Sequence, residues 1–600
     1  MDVGIAGAIK RLLTVDDNVL NDDFSLTSDE NEPDADRYGD EPVDESVNFT
    51  TAENKMDTAK KPVSMRSFLR RAAQEYDEAV QKAHAGQQEK IEVDLDEMKH
   101  RLFRFFHLPQ NKDIVIREFS VGVEGRSPWR GMVVYVDGLV DKNVINWAIL
   151  EPLMIWSHLA DDPKRALSYV VDHLVPGHQT QVIEKWSEVV FNVLAGSTVV
   201  FLDRCDAALV VESKGWEHRS VATPKMENVV RGAQDAFTEN FRTNTGLVRM
   251  RLRSEHLVTE IHAVGNLAKT DVAIMYIHGL TNPKLVKEVR RRISDIDVDY
   301  ILDAGMLEQF IEDRPSMMIP QVLVTERPDR VAAMLAEGYI AIFVGHSPVA
   351  IIVPVVLWSL MHTSEDTNLR IIPGTFIRAI RWIALMTALL LPGLYIAVTN
   401  YHSEMLPTDL MLAIAGSREQ VPFPVVVEVL LMEFAIELIR EAGIRIPSVI
   451  GPTIGIVGAL IIGQSAVQAG IVSPLLVIVV ATTALASFTV PNYELSMAVR
   501  ILRFAFLIAG AVLGFYGIAI LFVVYIVRLS MLKSFGVPFL SPIAPISGAA
   551  RDVLVRGPLW GMNKRPAFLK PLRSWRQSPV TRPWSAVTRR EAGEGGRPES

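Results

Sequence analysis

Within the segment EVLLMEFAIELIREAG, Glu428, Glu433 and Glu437 stand with Arg440 among apolar residues. Glu433 and Glu437 are one helical turn apart and Arg440 lies three residues beyond, so a helix gives these three one face. In hydrocarbon such groups are costly unless paired or turned to a polar interior. Two readings follow: structural Glu–Arg pairing in a partly buried helix, or a vestibule that gathers cations. The next segment, PSVIGPTIGIVGALIIGQSAVQAG, carries Thr453, Val457, Leu460, Gln464 and Gln468 at helical spacing. That stripe begins polar, turns apolar and ends in two amides. It could line a narrow pore with a dewetting constriction at Val457 or Leu460, although amides that tie helices together inside one chain are the more ordinary reading of these residues alone. Gly451, Gly455 and Gly458 permit close approach of a neighbouring helix. Further on, Thr482, Thr483 and Ser487 are of the type that bonds back to its own helix. Asn492 and Glu494 then stand where a carboxylate could concentrate cations or occupy a loop at the membrane edge.

Other reactive residues point away from catalysis. The chain contains no P-loop, dinucleotide fingerprint, HExxH or nucleophile elbow. His256, His262 and His278 lack metal-ligand spacing and read as surface histidines. Asp137 and Asp141, in VDGLVD, flank a turn, where capping is the ordinary role of Asp and a small-ligand site the other one. The single cysteine, Cys205, excludes an intrachain disulfide and a Cys-based zinc site, and reads as a small buried hydrophobe. The expectation is therefore a protein that is not an enzyme, with no cofactor and no metal. A net charge of -9 argues against nucleic acid as the main partner.

The elements that must position these residues fall in two halves. Apolar runs lie at Ile380–Val398, Val449–Ile462, Ile471–Val490 and Phe504–Val527. A bilayer core about 30 Å thick needs about 20 apolar residues, and the longer runs qualify. Before them, residues 16–57 are acidic and apolar-poor, which predicts disorder. Val63–Phe106 is rich in helix formers. Strand-like runs then alternate with helices. Ile114–Val121, Gly131–Val136, Thr198–Asp203 and Ala208–Glu212 read as strands, with helices over Lys142–Leu153 and Gln181–Gly196. A second set has helix Val229–Asn240, strands Val258–Val264 and Val272–Ile277, and helices Pro283–Ile293 and Met306–Ile311. The expected fold is an α/β soluble N-terminal region of two subdomains followed by an all-α polytopic membrane domain. Its parts are a disordered acidic arm (1–60), a helical segment (61–112), α/β subdomains at 113–215 and 216–337, an interfacial linker (338–375), a transmembrane helical domain (376–535) and a Pro-rich, basic tail (536–600). Arg370, Arg378 and Arg381, then Arg440 and Arg445, then Arg500 and Arg503 flank the runs in a way that places the N-terminal domain in the cytoplasm. One feature conflicts: after Asn563 the tail holds nine Lys or Arg against three Glu, yet five crossings would put it outside, unless the Pro-rich stretch Phe535–Pro558 re-enters the membrane or the Glu-bearing segment is not a full crossing.

Several stretches resemble the GerA family of spore germination proteins. They are VVYVDGLVDKNVINWAILEPLM, RGAQDAFTENFRTNTGLVRMRLR, VGNLAKTDVAIMYIHGLTN, PQVLVTERPDRVAAMLAEGYIAI, PFPVVVEVLLMEFAIELIREAGIRIPSVIGPTIGIVGALIIGQSAV, FTVPNYELSMAVRILRF and LKSFGVPFLSPIAP. Together they cover roughly Asp113 to Pro545 in order. Departures from the family pattern are Ala222 and Thr223 for an acidic pair, Ala233 for a proline, and His346 in a turn where Asp-Gly-x-Pro is commoner. The resemblance implies the A subunit of a nutrient germinant receptor in the spore inner membrane, its large N-terminal domain on the core side. It further implies a homo-oligomeric, pentameric cation channel that acts with a transporter-like B subunit, a lipoprotein C subunit and the surrounding lipids. A family-related accessory membrane protein, a scaffold or dipicolinate-release factor without its own pore, is the alternative. A transporter is disfavoured because no inverted repeat of spans is visible.

Overall fold

A computed structural model describes residues 90–122, 128–155, 162–175, 180–215, 223–445, 461, 463–546 and 552–577. Helix α1 (Leu95–Phe105) opens it, capped by Asp94, whose side chain accepts from the Asp96 N–H. Strands β1 (Ile114–Val121) and β2 (Trp129–Val136) form a hairpin. After a π-turn at Val144–Leu150 come α2 (Glu151–Ile155), α3 (Pro163–Tyr169), β3 (Thr180–Ile183), α4 (Trp186–Leu194), β4 (Thr198–Leu202) and β5 (Ala208–Val211). The five strands make an antiparallel sheet in the order β1-β2-β4-β5-β3. The stretch 181–196, expected to be helical throughout, begins as edge strand β3 and is helical only from Trp186. Its β-branched Val182 and Ile183 pair with Leu209 and Ala208 instead.

The second unit repeats the first. Helix α5 (Phe241–Arg251) precedes the hairpin β6 (Leu257–Val264) and β7 (Thr270–Ile277). Then follow α6 (Pro283–Ser294), α7 (Ala304–Ile311), β8 (Leu323–Thr325), α8 (Pro328–Leu335), β9 (Ile340–Val344) and β10 (Ala350–Val353). The sheet order β6-β7-β9-β10-β8 is the same permutation as in the first unit. The sequence carries the duplication: Tyr135-Val136-Asp137-Gly138-Leu139-Val140-Asp141 matches Tyr276-Ile277-His278-Gly279-Leu280-Thr281-Asn282, and the helix ending Leu194-Ala195-Gly196 matches the one ending Ala336-Glu337-Gly338. All four of these glycines have positive φ, the conformation that glycine adopts without steric cost. Two expectations change here. Residues 229–240 are irregular rather than helical: Arg327, buried, donates to the Glu227 and Ala233 carbonyls, and Asn240 caps the helix that starts after them. The stretch 338–353, expected in a linker, supplies β9 and β10 of the second sheet.

A buried network joins the two units. The Arg249 Nε donates to Asp113 Oδ2 at 2.8 Å, and the Thr259 hydroxyl donates to the same oxygen at 2.6 Å. Arg249 also reaches Asn111 Oδ1 and the Leu257 carbonyl. Removing one partner of such a pair typically costs roughly 3–5 kcal/mol, because the other charge stays buried.

The helical part follows two short helices, α9 (Leu357–Met361) and α10 (Ser364–Asn368). It comprises α11 (Ile371–Asn400), α12 (Thr408–Arg418), α13 (Val425–Arg445), α14 (Pro474–Phe488) and α15 (Tyr493–Met531). By length and composition, α11 and α15 are the two described helices able to cross a membrane. The run Phe504–Val527, expected as one span, is not straight. Gly514 sits at φ 61°, ψ -140°, inside the 39-residue α15. A straight helix of that length would separate its ends by about 58 Å. Instead Glu494, near its start, lies close enough to Glu308 and Glu312 to raise both their pKa values, while just past its end the Phe535 N–H donates to Asp313 Oδ2 at 2.8 Å. The helix therefore folds back at Gly514. The Tyr401 hydroxyl, at the end of α11, donates to the Ala511 and Val512 carbonyls that the break frees. Gly393 of α11 and Gly510 cross in backbone contact: a Cβ on Gly393 would meet the Phe506 carbonyl oxygen at 2.8 Å.

Candidate functional site

The site is built where the bundle meets the second α/β unit. At the base of α11, Arg378 and Arg381 donate to the buried Asp366 carboxylate, and Arg378 also binds Asp552. At the exit of α15, the Ser534 hydroxyl donates to the Gln321 carbonyl at 2.6 Å and accepts from the Val355 N–H. Phe535 lies under the Arg292 guanidinium, 4.3 Å from its ring centroid. The chain then returns along the second unit, with Leu572 N–H donating to the Leu280 carbonyl, Arg565 to the Ala336 carbonyl and Arg576 paired with Glu337 at 3.0 Å. The tail thus touches the two turns that mark the repeat.

Within the bundle the acidic residues separate into three settings. Glu428 is buried and binds Arg418 from α12 and the Ser473 N–H before α14, so it ties three elements. Glu433 and Glu437 meet Arg503 of α15: its Nη2 is 2.9 Å from Glu433 Oε2 and 3.0 Å from Glu437 Oε1. Arg440 lies 3.8 Å from Glu437, donates to the Ser487 hydroxyl at 2.8 Å and stacks over Phe488. Arg500 lies 3.6 Å from Glu437. Glu494 stands apart, at the start of α15 against α7. Burial, then the charges of Glu494 and Glu312, push the Glu308 carboxyl up to about 8. Burial with Glu494 and Asp313 raises Glu312 to about 7, against a hydrogen bond from the Gln321 N–H.

Among the stripe residues, Gln464 and Gln468 are exposed, whereas Thr453, Val457 and Leu460, like Gly451, Gly455 and Gly458, lie outside the described residues. Thr482, Thr483 and Ser487 donate to the Ile478, Val479 and Ala484 carbonyls of their own helix, and Asn492 caps α15 by accepting from the Leu495 N–H.

The remaining candidates are structural in their contacts. Asp141 accepts from the Asn143 N–H, and Asp137 pairs with Lys142 at 3.0 Å. Burial pushes the Cys205 thiol up to about 12. His262 lies 3.5 Å from Glu260, which Arg290 and Tyr276 also hold. His256 and His278, distant in sequence, do meet, together with His107, which the sequence reading did not single out. The His107–His278 ring centroids are 4.1 Å apart and His107 Nε2 is 3.4 Å from His256 Nδ1. Burial, then His278 and His256, lower His107 to about 4. No group of three or more His, Cys, Asp or Glu among the described residues has an arrangement that could hold a metal ion.

Two tandem α/β units locked onto a helical bundle, two of whose helices are long and apolar enough to cross a membrane, make a protein in which a folded domain and its helices are mechanically joined. A family model described as Bacillus/Clostridium GerA spore germination protein matches residues 104–568, and the chain belongs to that family. It is 39% identical over 480 residues to spore germination protein KA of Bacillus subtilis (strain 168), covering 80% of this chain and 88% of that one. It is 37% identical over 477 residues to spore germination protein B1 of the same organism, covering 78% and 96%. Among solved structures it is similar to the N-terminal domain of the A subunit of the Bacillus megaterium spore germinant receptor GerK3, at 31% identity and a TM-score of 0.34, covering 44% of this chain and 96% of that one.

Proposed function

We propose that this chain is the A-type membrane subunit of a spore germinant receptor and contributes to a nutrient-gated cation channel built from several copies, five in the family-derived reading. The supporting observation is the double attachment of the bundle to the second α/β unit, at Asp366 under α11 and at Ser534 after α15. A shift of that unit then moves two helices at once. The trigger is binding of a nutrient to a partner of the transporter-like B type, with a lipoprotein C subunit beside it. No catalytic step is involved. The stripe Thr453, Val457, Leu460, Gln464 and Gln468 lines the pore, and Glu428, Glu433, Glu437 and Glu494 act through pairing and packing rather than as a cation vestibule.

In this reading the spore inner membrane encloses an even number of crossings. The turn at Gly514 sends the final apolar run back toward the side it entered from, so the tail ends on the same side as the α/β region, facing the core. That removes the conflict posed by the basic tail. An accessory protein without a pore is the competing reading, favoured by the pairing of Glu428, Glu433 and Glu437 inside one chain. Val457→Ala separates the two. A pore constriction widened there is expected to leak cations from spores without nutrient; unchanged leakage at normal protein level would leave the accessory reading standing.

A further inference from the structure

Charge does not balance where α13, α14 and α15 meet. Three guanidiniums, Arg440, Arg500 and Arg503, face two carboxylates, Glu433 and Glu437. The sequence builds the imbalance: Arg500 and Arg503 are three apart on α15, as Glu437 and Arg440 are on α13, so each pair shares a face. Arg503 has only 1% of its side chain exposed, and Arg440 has 10%. Only Nη2 of Arg503 reaches a carboxylate. Its Nε and Nη1, and the Nε of Arg440 and of Arg500, are buried without a hydrogen-bond partner among the described residues, as are the two oxygens of Glu433, which meets Arg503 as an ion pair only; the net charge of the cluster is still positive.

A buried charged donor left unmatched is among the costliest features that a folded chain can carry, and in a bilayer setting the cost is higher still. The surplus is positive, so a further protein carboxylate, a water or an anion can satisfy it. Of the other described carboxylates on these helices, Glu428 is held by Arg418 and Glu441 by Arg445, and Glu494 faces Glu308 and Glu312 rather than the guanidiniums, its Oε2 buried without a partner among the described residues. Water would supply acceptors but would leave the excess charge. We infer that this cluster binds one oxyanion, a phosphate or carboxylate group held by Arg440, Arg500 and Arg503 at the domain-facing end of the bundle. The group can arrive as a free anion or as the headgroup of an anionic lipid, since basic pockets between helices are suited to such headgroups. The inference is independent of whether the bundle conducts ions.

The test uses the full chain in neutral detergent, with radiolabelled inorganic phosphate as the probe and native mass spectrometry of the same sample for retained phospholipid. About one phosphate per chain, or one retained anionic lipid that phosphate does not replace, is expected, and the two results distinguish the sources. Arg440→Gln, which cancels the surplus, is expected to weaken binding tenfold or more. Glu437→Gln, which enlarges the surplus, is expected to tighten it by a similar factor. A purely structural ion-pair cluster would bind neither probe in the unmodified protein or in either variant. Absence of phosphate and lipid from the unmodified protein, or equal binding in the two variants, would overturn the proposal.

Discussion

Glu308 illustrates how single residues record the contact between domain and bundle. Its carboxyl titrates near 4.5 in an unfolded chain and at about 8 when buried beside Glu494 and Glu312. The folded state holds that proton more tightly, so the stabilisation is complete below about 4.5 and fades as pH rises through about 8. Thermal stability of the full chain is expected to fall between about pH 4.5 and 8, and Glu308→Gln to reduce that fall by on the order of 1 kcal/mol, allowing for partial exposure. An unchanged slope in the variant would place the dependence elsewhere. His107 acts in the opposite direction: lowered to about 4, it is lost as a stabilising neutral group when pH falls below its ordinary 6.5. At this scale the sequence was legible only locally. The Glu433, Glu437 and Arg440 face follows from spacing, whereas Arg503 and Arg500, which meet it, lie on another helix whose rotation no local pattern specifies. The meeting of His107 with His256 and His278 has the same cause. His346 is a different case: with φ at 69° it holds a conformation that glycine adopts without strain, which accounts for the glycine commoner there in the family.

At the scale of elements, apolar periodicity located β1, β2, β4, β5, β6 and β7, but it read β3 as helix, passed over β8, left β9 and β10 in a linker, and mistook a hairpin of helices for one span. The reason is physical. Residues on both sides of Gly514 are equally apolar and helix-forming, so hydropathy is continuous through the turn, and Gly510, Gly514 and Gly517 look alike in sequence. Only Gly514 has left-handed φ, and only there do Tyr401 and His402 crowd the missing Cβ, at 3.2 and 3.0 Å. Gly514→Ala is therefore expected to cost roughly 1–3 kcal/mol from backbone strain alone, more with the clash, and to lower the detergent melting temperature. Gly416→Ala, on α12 with open space around it, is the control and should be near neutral. Similar melting temperatures for the two variants would mean that α15 does not depend on this turn. The irregular 229–240 stretch was hidden for another reason: its composition is helix-compatible, and the buried Arg327 that engages its carbonyls is nearly a hundred residues later.

For the whole molecule, the hairpin and the returning tail imply that both soluble ends share one side. Impermeant maleimide applied to sealed vesicles is expected to label Thr367→Cys and Ser574→Cys from the same face and Glu404→Cys from the other; Cys205, buried, gives little background. Labelling of Ser574→Cys with Glu404→Cys instead would refute the arrangement. The two-unit α/β architecture and its order were legible in the sequence because alternation and turn residues are local signals. The internal duplication was not read from the sequence; the matching sheet orders reveal it, and YVDGLVD and YIHGLTN then align on the turn that Asp137 and Asp141 frame.

The contact between Leu572 and Leu280 also sets an order of events during biosynthesis. The second α/β unit leaves the ribosome early, while the strand of tail that covers it is made almost three hundred residues later. At roughly 5–20 residues per second, that surface stays uncovered for roughly 15–60 seconds, while the apolar helices are being inserted. A chain cut short anywhere in the bundle would therefore display an incomplete domain surface, giving quality control a way to tell finished subunits from unfinished ones.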